Sequence, residues 1–183
     1  IHLTKHFMKH FILTAAALLS ASASLDATEV LTSPDGRLQL SFDLTNDGTP
    51  TYKMDYNNKP VIATSRLGLE LKNQKSLLDG FKMERVSRSS FDETWQPVWG
   101  EQSSIRNHYN EMAVCLSQPD DNGHLREMIV RFRLYDDGVG FRYEWPAQDN
   151  FTYFTIKEER TEFAMTGDHT AYWIPADYDT QEY

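Results

Sequence analysis

Cysteine occurs once in this chain, at Cys115, so no intramolecular disulfide forms and a fold stapled by cross-links is excluded. In the run MAVCL it alternates with strand-forming neighbours, the setting of a buried structural thiol rather than a nucleophile. Basic residues are scarce as well: Lys and Arg number 18 against 27 Asp and Glu, a formal net charge of -9. With no basic stripe to offset that balance, nucleic acid and anionic lipid are excluded as partners. The acidity suits a protein that meets neutral ligands or cations, and most of it reads as solvated surface.

Long apolar runs are missing too. The longest, Phe11 to Leu19 (FILTAAALL), has about half the roughly 20 residues a bilayer demands. Met8, Lys9 and His10 precede it, and the small residues Ala21, Ser22 and Ala23 follow as an A-x-A cleavage site. Residues 8–23 are therefore expected to be a signal peptide, removed on export to the periplasm or beyond, with no transmembrane segment left behind. Ile1 to Phe7 fit no part of such a peptide and read as upstream or mis-started sequence.

Catalytic signatures are equally absent. No G-x-S-x-G elbow and no G-x-x-x-x-G-K-[ST] loop occurs, and Gly138-Val139-Gly140 falls in a hairpin context that does not cradle phosphate. His108, His124 and His169 lack the spacings of zinc ligands and read as surface or structural residues.

Helical periodicity is nearly absent, and in its place short alternating runs separated by turn residues recur from Glu29 onward. Ser33-Pro34-Asp35-Gly36 opens onto Leu38, Leu40, Phe42 and Leu44, which alternate with Gln39, Ser41 and Asp43 and so present one buried and one wet face. Asn46-Asp47-Gly48 turns the chain into Tyr52 to Tyr56, Asn57-Asn58 turns it again, and Val61 to Leu71 continues as strand. Arg85 to Glu93 is polar and Ser-rich and is expected to loop out before Trp95. Ile105 to Leu116 resumes the strand pattern, and Pro119 to Gly123 turns it back.

In FRLYDDGVGFRYEW, Val130, Phe132 and Leu134 alternate with arginines, Asp136-Asp137-Gly138 turns the chain, and Phe141 to Trp145 returns. Cross-strand Arg and Glu partners are expected on its wetter face. With further runs at Phe151 to Ile156 and Glu162 to Met165, roughly ten to thirteen strands result, too many for one small sheet. The expectation is an all-β fold, a large antiparallel β-sandwich in one domain over residues 24–175. The 40% hydrophobic and 13% aromatic content supplies one core of that size.

Trp95, Trp99, Tyr109, Trp145, Tyr172 and Trp173 offer flat faces that stack either on sugars or on one another in a core. Core is the reading for Trp145, and both remain open for Trp99, which sits in the polar stretch WGEQSSIRNHYNE. In WIPADYDTQEY, Asp177, Asp179 and Glu182 lie close enough to be candidate ligands for a hard cation, but the spacing is not that of an EF-hand. On local pattern alone an ordinary solvated acidic turn is the favoured reading.

SPDGRLQLSF, SRLGLEL, WGEQSSIRNHYNE, FRLYDDGVGFRYEW and WIPADYDTQEY, in that order, resemble the N-terminal domain of glycoside hydrolase family 97. The likeness covers nearly all the chain after residue 23 and is nearest the branch of periplasmic α-glucosidases that use starch, though members acting on α-galactosides share the domain. It implies a sandwich of the galactose-mutarotase-like, or supersandwich, kind, with residues 176–183 leading into a catalytic (β/α)8 barrel. In the α-glucosidase branch an inverting mechanism uses barrel carboxylates as acid and base, beside a calcium ion that also contacts the sandwich. The sandwich ligand to that calcium matches Glu182. An α-linked oligosaccharide is the implied substrate, and catalysis is expected only together with the barrel. A stand-alone carbohydrate-binding or structural sandwich is the alternative.

Overall fold

The computed structural model describes residues 28–173. Among them the fold is all-β, with ten strands paired antiparallel in every ladder. β1 (Glu29–Thr32), β2 (Leu38–Leu44), β3 (Pro50–Tyr56) and β4 (Lys59–Arg66) form a first sheet in chain order. β6 (Lys82–Trp95), β7 (Ile105–Pro119), β8 (Leu125–Leu134) and β9 (Val139–Glu144) form a second four-stranded meander. β5 (Leu69–Leu71) pairs separately with β10 (Ile156–Glu159). No helix among the described residues is long and apolar enough to cross a membrane.

Alternation builds the core. Leu38, Leu40 and Phe42 of β2 and Tyr52 and Met54 of β3 face Met112, Val114 and Leu116 of β7 and Met128, Val130, Phe132 and Leu134 of β8, all buried in one cluster. Phe42 and Tyr52 of the first sheet reach Phe132 of the second at ring separations of 6.0 and 6.3 Å, so the two sheets share a single interior. Turn chemistry sets the registers. Asn57 and Asn58 take positive φ between β3 and β4, and Gly36, Gly48 and Gly123 do so at the other tight turns.

Four sequence expectations are corrected. Arg85 to Glu93 does not loop out: it lies within β6 and pairs almost residue for residue with β7. Its polarity is compatible with a strand because β6 is an edge with both faces largely exposed, so no core demands alternation. Val61 to Leu71 is not one run, since Leu67-Gly68 breaks it and sends β5 into a different sheet. Phe151 to Thr155 is not strand: Phe151 and Phe154 stack on each other at 4.3 Å, and only Ile156 enters β10. Glu162 to Met165 runs beside β4 without a regular ladder, held by one bridge from Met165 to Ile62 and by the Ala63 amide donating to the Ala164 carbonyl at 2.8 Å.

Candidate functional site

The outer face of the second sheet carries the densest polar chemistry, and the β8–β9 hairpin organises it. Arg131 lies directly opposite Arg142, a like-charged pair that is unfavourable on its own. Glu144 resolves the conflict by accepting from Arg131 Nε at 2.7 Å and Nη2 at 2.9 Å, and from Arg142 Nε at 2.6 Å. On the other flank β7 places Glu111 opposite Arg133, and Glu111 accepts from Arg133 Nε at 2.7 Å and from Arg131 Nη1. Charges of alternating sign therefore cross three strands. Hydrogen bonds from Arg131 hold the Glu144 carboxyl down at about 2. Burial pushes Glu111 up, but hydrogen bonds from Arg133 and Arg131 outweigh it and leave the carboxyl lowered.

An aromatic group continues the same face. Tyr109 stacks on Phe91 at 5.4 Å, meets Tyr135 at 5.3 Å, and lies under the Arg133 guanidinium at 4.4 Å. Between the arginines and Tyr135 is a shallow trough of about 170 Å³. Gly140 floors it, and a Cβ there would meet nothing within 4 Å. The trough offers donors and a ring edge. It offers no general acid, because both carboxylates are ionised at neutral pH and committed to arginine.

A larger cleft of about 640 Å³ opens beside β5 and β10, where Glu70, Asp79, Glu158 and Glu162 gather around Arg66 and Arg160. Glu70 accepts there from Lys157 Nζ and from Arg160 Nη2 at 2.7 Å, both bonds lower its carboxyl, and Glu158 pairs with Arg160 at 2.8 Å. Among the described residues no three His, Cys, Asp or Glu side chains converge as a metal site.

The residues singled out from sequence scatter. Glu182, with Asp177 and Asp179, lies outside the described residues, as do the expected signal peptide at 8–23 and the connection at 176–183. Cys115 is buried, and burial pushes its thiol up, as fits a structural role. Trp145 is half-buried against Phe154 at 5.0 Å, in keeping with the core reading, although its Nε1 finds no partner among the described residues. Tyr109 is buried, whereas Trp99, Tyr172 and Trp173 stand open to solvent. His124 and His169 are exposed and His108 is half-buried. Sequence reasoning missed Glu111, whose only signal was a carboxylate opposite the run Arg131-Phe132-Arg133, and Glu70, which lies opposite Glu158 and takes its cations from Lys157 and Arg160.

The family described as Glycosyl-hydrolase 97 N-terminal matches over residues 31–183. A retaining alpha-galactosidase from Bacteroides thetaiotaomicron is 27% identical over 160 residues, which cover 87% of this chain and 22% of that protein. A family 97 enzyme from Pseudoalteromonas sp. strain K8, solved in complex with acarbose, is 37% identical with a TM-score of 0.73 over 81% of this chain and 22% of that one. The same enzyme in complex with panose gives 0.72 at the same identity and coverage. A beta-arabinopyranosidase aligns at 30% identity and a TM-score of 0.65, over 74% of this chain and 21% of its own. The chain thus spans about a fifth of the length of these relatives.

Proposed function

This chain belongs to glycoside hydrolase family 97 through its N-terminal domain, and on that premise we propose that it serves an exported α-glycosidase acting on α-glucosidic bonds of starch-derived oligosaccharides. One observation carries the reading: a single family matches from Leu31 to Tyr183, and a relative 37% identical was solved with panose, an oligosaccharide of α-linked glucose. The α-galactosidase relative is more distant, at 27%.

In this reading the sandwich does not perform chemistry. An oxocarbenium-like transition state requires two opposed carboxyl groups at fixed separation, one kept protonated. The carboxylates that dominate the described surface, Glu111, Glu144 and Glu70, are ionised and spent on arginine or lysine. Acid and base belong to a following barrel, whose rim holds such groups rigidly. Residues 8–23 direct export to the periplasm, a role supported by their basic start, apolar run and A-x-A site.

Calcium enters this reading through Glu182, which supplies one anionic oxygen from the sandwich side. One carboxylate is not a complete site, because calcium takes six to eight oxygens, and in this reading the remaining ligands come from the barrel. The experiment is to change Glu182 to Gln in the enzyme carrying this chain and its continuation. Bound calcium, measured by elemental analysis, is expected to fall together with hydrolysis of an α-glucoside, and excess calcium to restore part of both. Unchanged metal content in the variant refutes the role of Glu182.

A further inference from the structure

β6 and β7 outrun the rest of their sheet. Their pairing continues from Phe91↔Tyr109 to Trp95↔Ile105, whereas β8 joins β7 only from Asn110 onward. The result is a two-stranded arm standing clear of the sandwich and closed by the loop 96–104. One face of the arm is polar and locked, with Arg106 donating from Nε and Nη2 to Asp92 at 2.8 and 2.7 Å. The other face and the tip hold the apolar residues of the arm: Phe91 and Trp95 are exposed on either side of the Glu93–Asn107 pair, and Val98 and Trp99 keep 90% and 88% of their surface open.

We propose that this arm is an interdomain clamp, and that Val98 and Trp99 at its tip are buried against the part of the same polypeptide that follows Tyr183. The inference rests on the family 97 reading and adds to it the element that makes the contact. Relatives carry about four-fifths of their length outside what this chain matches, so in them there is chain enough to cover such an arm.

Two other occupants fit less well. A sugar would be met by the open ring of Trp99, but Phe91 is stacked on Tyr109, and Val98, as open as Trp99, has no ring to offer. A second copy needs about 800 Å² on each partner, and a few aromatic side chains of about 150–250 Å² each fall short of that. A tethered domain needs far less contact, because linkage raises its effective concentration to the millimolar range. The ordered ladder and the Asp92–Arg106 pair hold the arm ready, so little entropy is lost on docking.

Hydroxyl-radical footprinting of the enzyme containing this chain and its continuation tests the proposal without any variant. Trp99 is expected to be modified about tenfold more slowly than in the denatured enzyme, as in a desolvated interface core. Val98→Asp with Trp99→Asp should split thermal unfolding into two transitions. Full labelling of Trp99 in an enzyme that hydrolyses α-glycosides overturns the clamp and leaves the glycosidase reading standing. Protection that appears only on dimerisation, or only on adding panose, also overturns it, in favour of a second copy or a glycan platform. A continuation without a barrel removes the glycosidase reading and the clamp together, and the activity assay reads that outcome separately.

Discussion

Changing Arg126 to Met tests how the second sheet is tied to the segment between β5 and β6. Arg126 is 1% exposed, and among the described residues it makes no ion pair. Its Nη2 donates to the Lys75 carbonyl at 2.6 Å and to Gln118 Oε1, its Nε donates to the same Oε1 at 3.1 Å, and its guanidinium lies 5.0 Å above the Phe151 ring. Gln118, itself fully buried, donates onward to the Ser76 carbonyl at 2.9 Å and to that of Asp79. Methionine would strand the Lys75 carbonyl and Gln118 Oε1, at about 1–3 kcal/mol each. Against that, the burial that pushes the Arg126 pKa down shows a desolvation cost that the variant no longer bears. The net expectation is a loss of about 2–4 kcal/mol, read as a urea midpoint lower by about 1–2 M at unchanged slope. Adding Gln118→Leu should cost less than the sum of the two single changes, because it removes an acceptor already stranded. A midpoint unmoved by Arg126→Met, or strict additivity in the double variant, refutes this account of the tie.

Glu144 sits at about 2 when folded against 4.5 unfolded, so its contribution is complete above about pH 5 and is lost as pH falls through about 2. After allowance for solvent around Arg142, Glu144→Gln should cost about 1 kcal/mol at neutral pH and flatten the acid limb of stability against pH, followed by circular dichroism. Gly48, at φ +77°, would bring a Cβ to 2.5 Å from the Phe81 amide nitrogen, so Gly48→Ala should cost about 3 kcal/mol or more in urea unfolding. Gly36→Ala, with similar φ and open space, should cost only about 1 kcal/mol.

The meander was readable wherever one face of a strand is buried and a turn residue closes it. β2, β3, β8 and β9 each announce themselves by alternation, and Asn57-Asn58 and Asp136 to Gly138 mark their turns. β6 was not readable because a strand with solvent on both faces leaves no alternation to see, and only pairing with β7 reveals it. The segments after Trp145 failed for the opposite reason. Phe151 and Phe154 look like strand residues but stack on each other, with Phe154 against Trp145, and the exposed Phe163 lies against Tyr52 and Phe141, all without a ladder. Arg–Glu pairing on the β8–β9 face was expected from sequence, but the reach of Arg131 to Glu111 depends on a register that local pattern does not encode. For Trp99, burial decided between core and surface, and burial is not a property of its neighbours in sequence.

The fourteen residues of β6 leave a long row of backbone groups open on one side, the kind of template on which chains assemble into aggregates. Lys82, Glu84, Arg85, Arg88, Asp92 and Glu93 stud that row, with no run of more than a few uncharged residues between them. Any strand adding there must strip water from these charges before it gains a ladder bond. The same polarity that hides β6 from pattern reading therefore works against a second chain adding along its open edge.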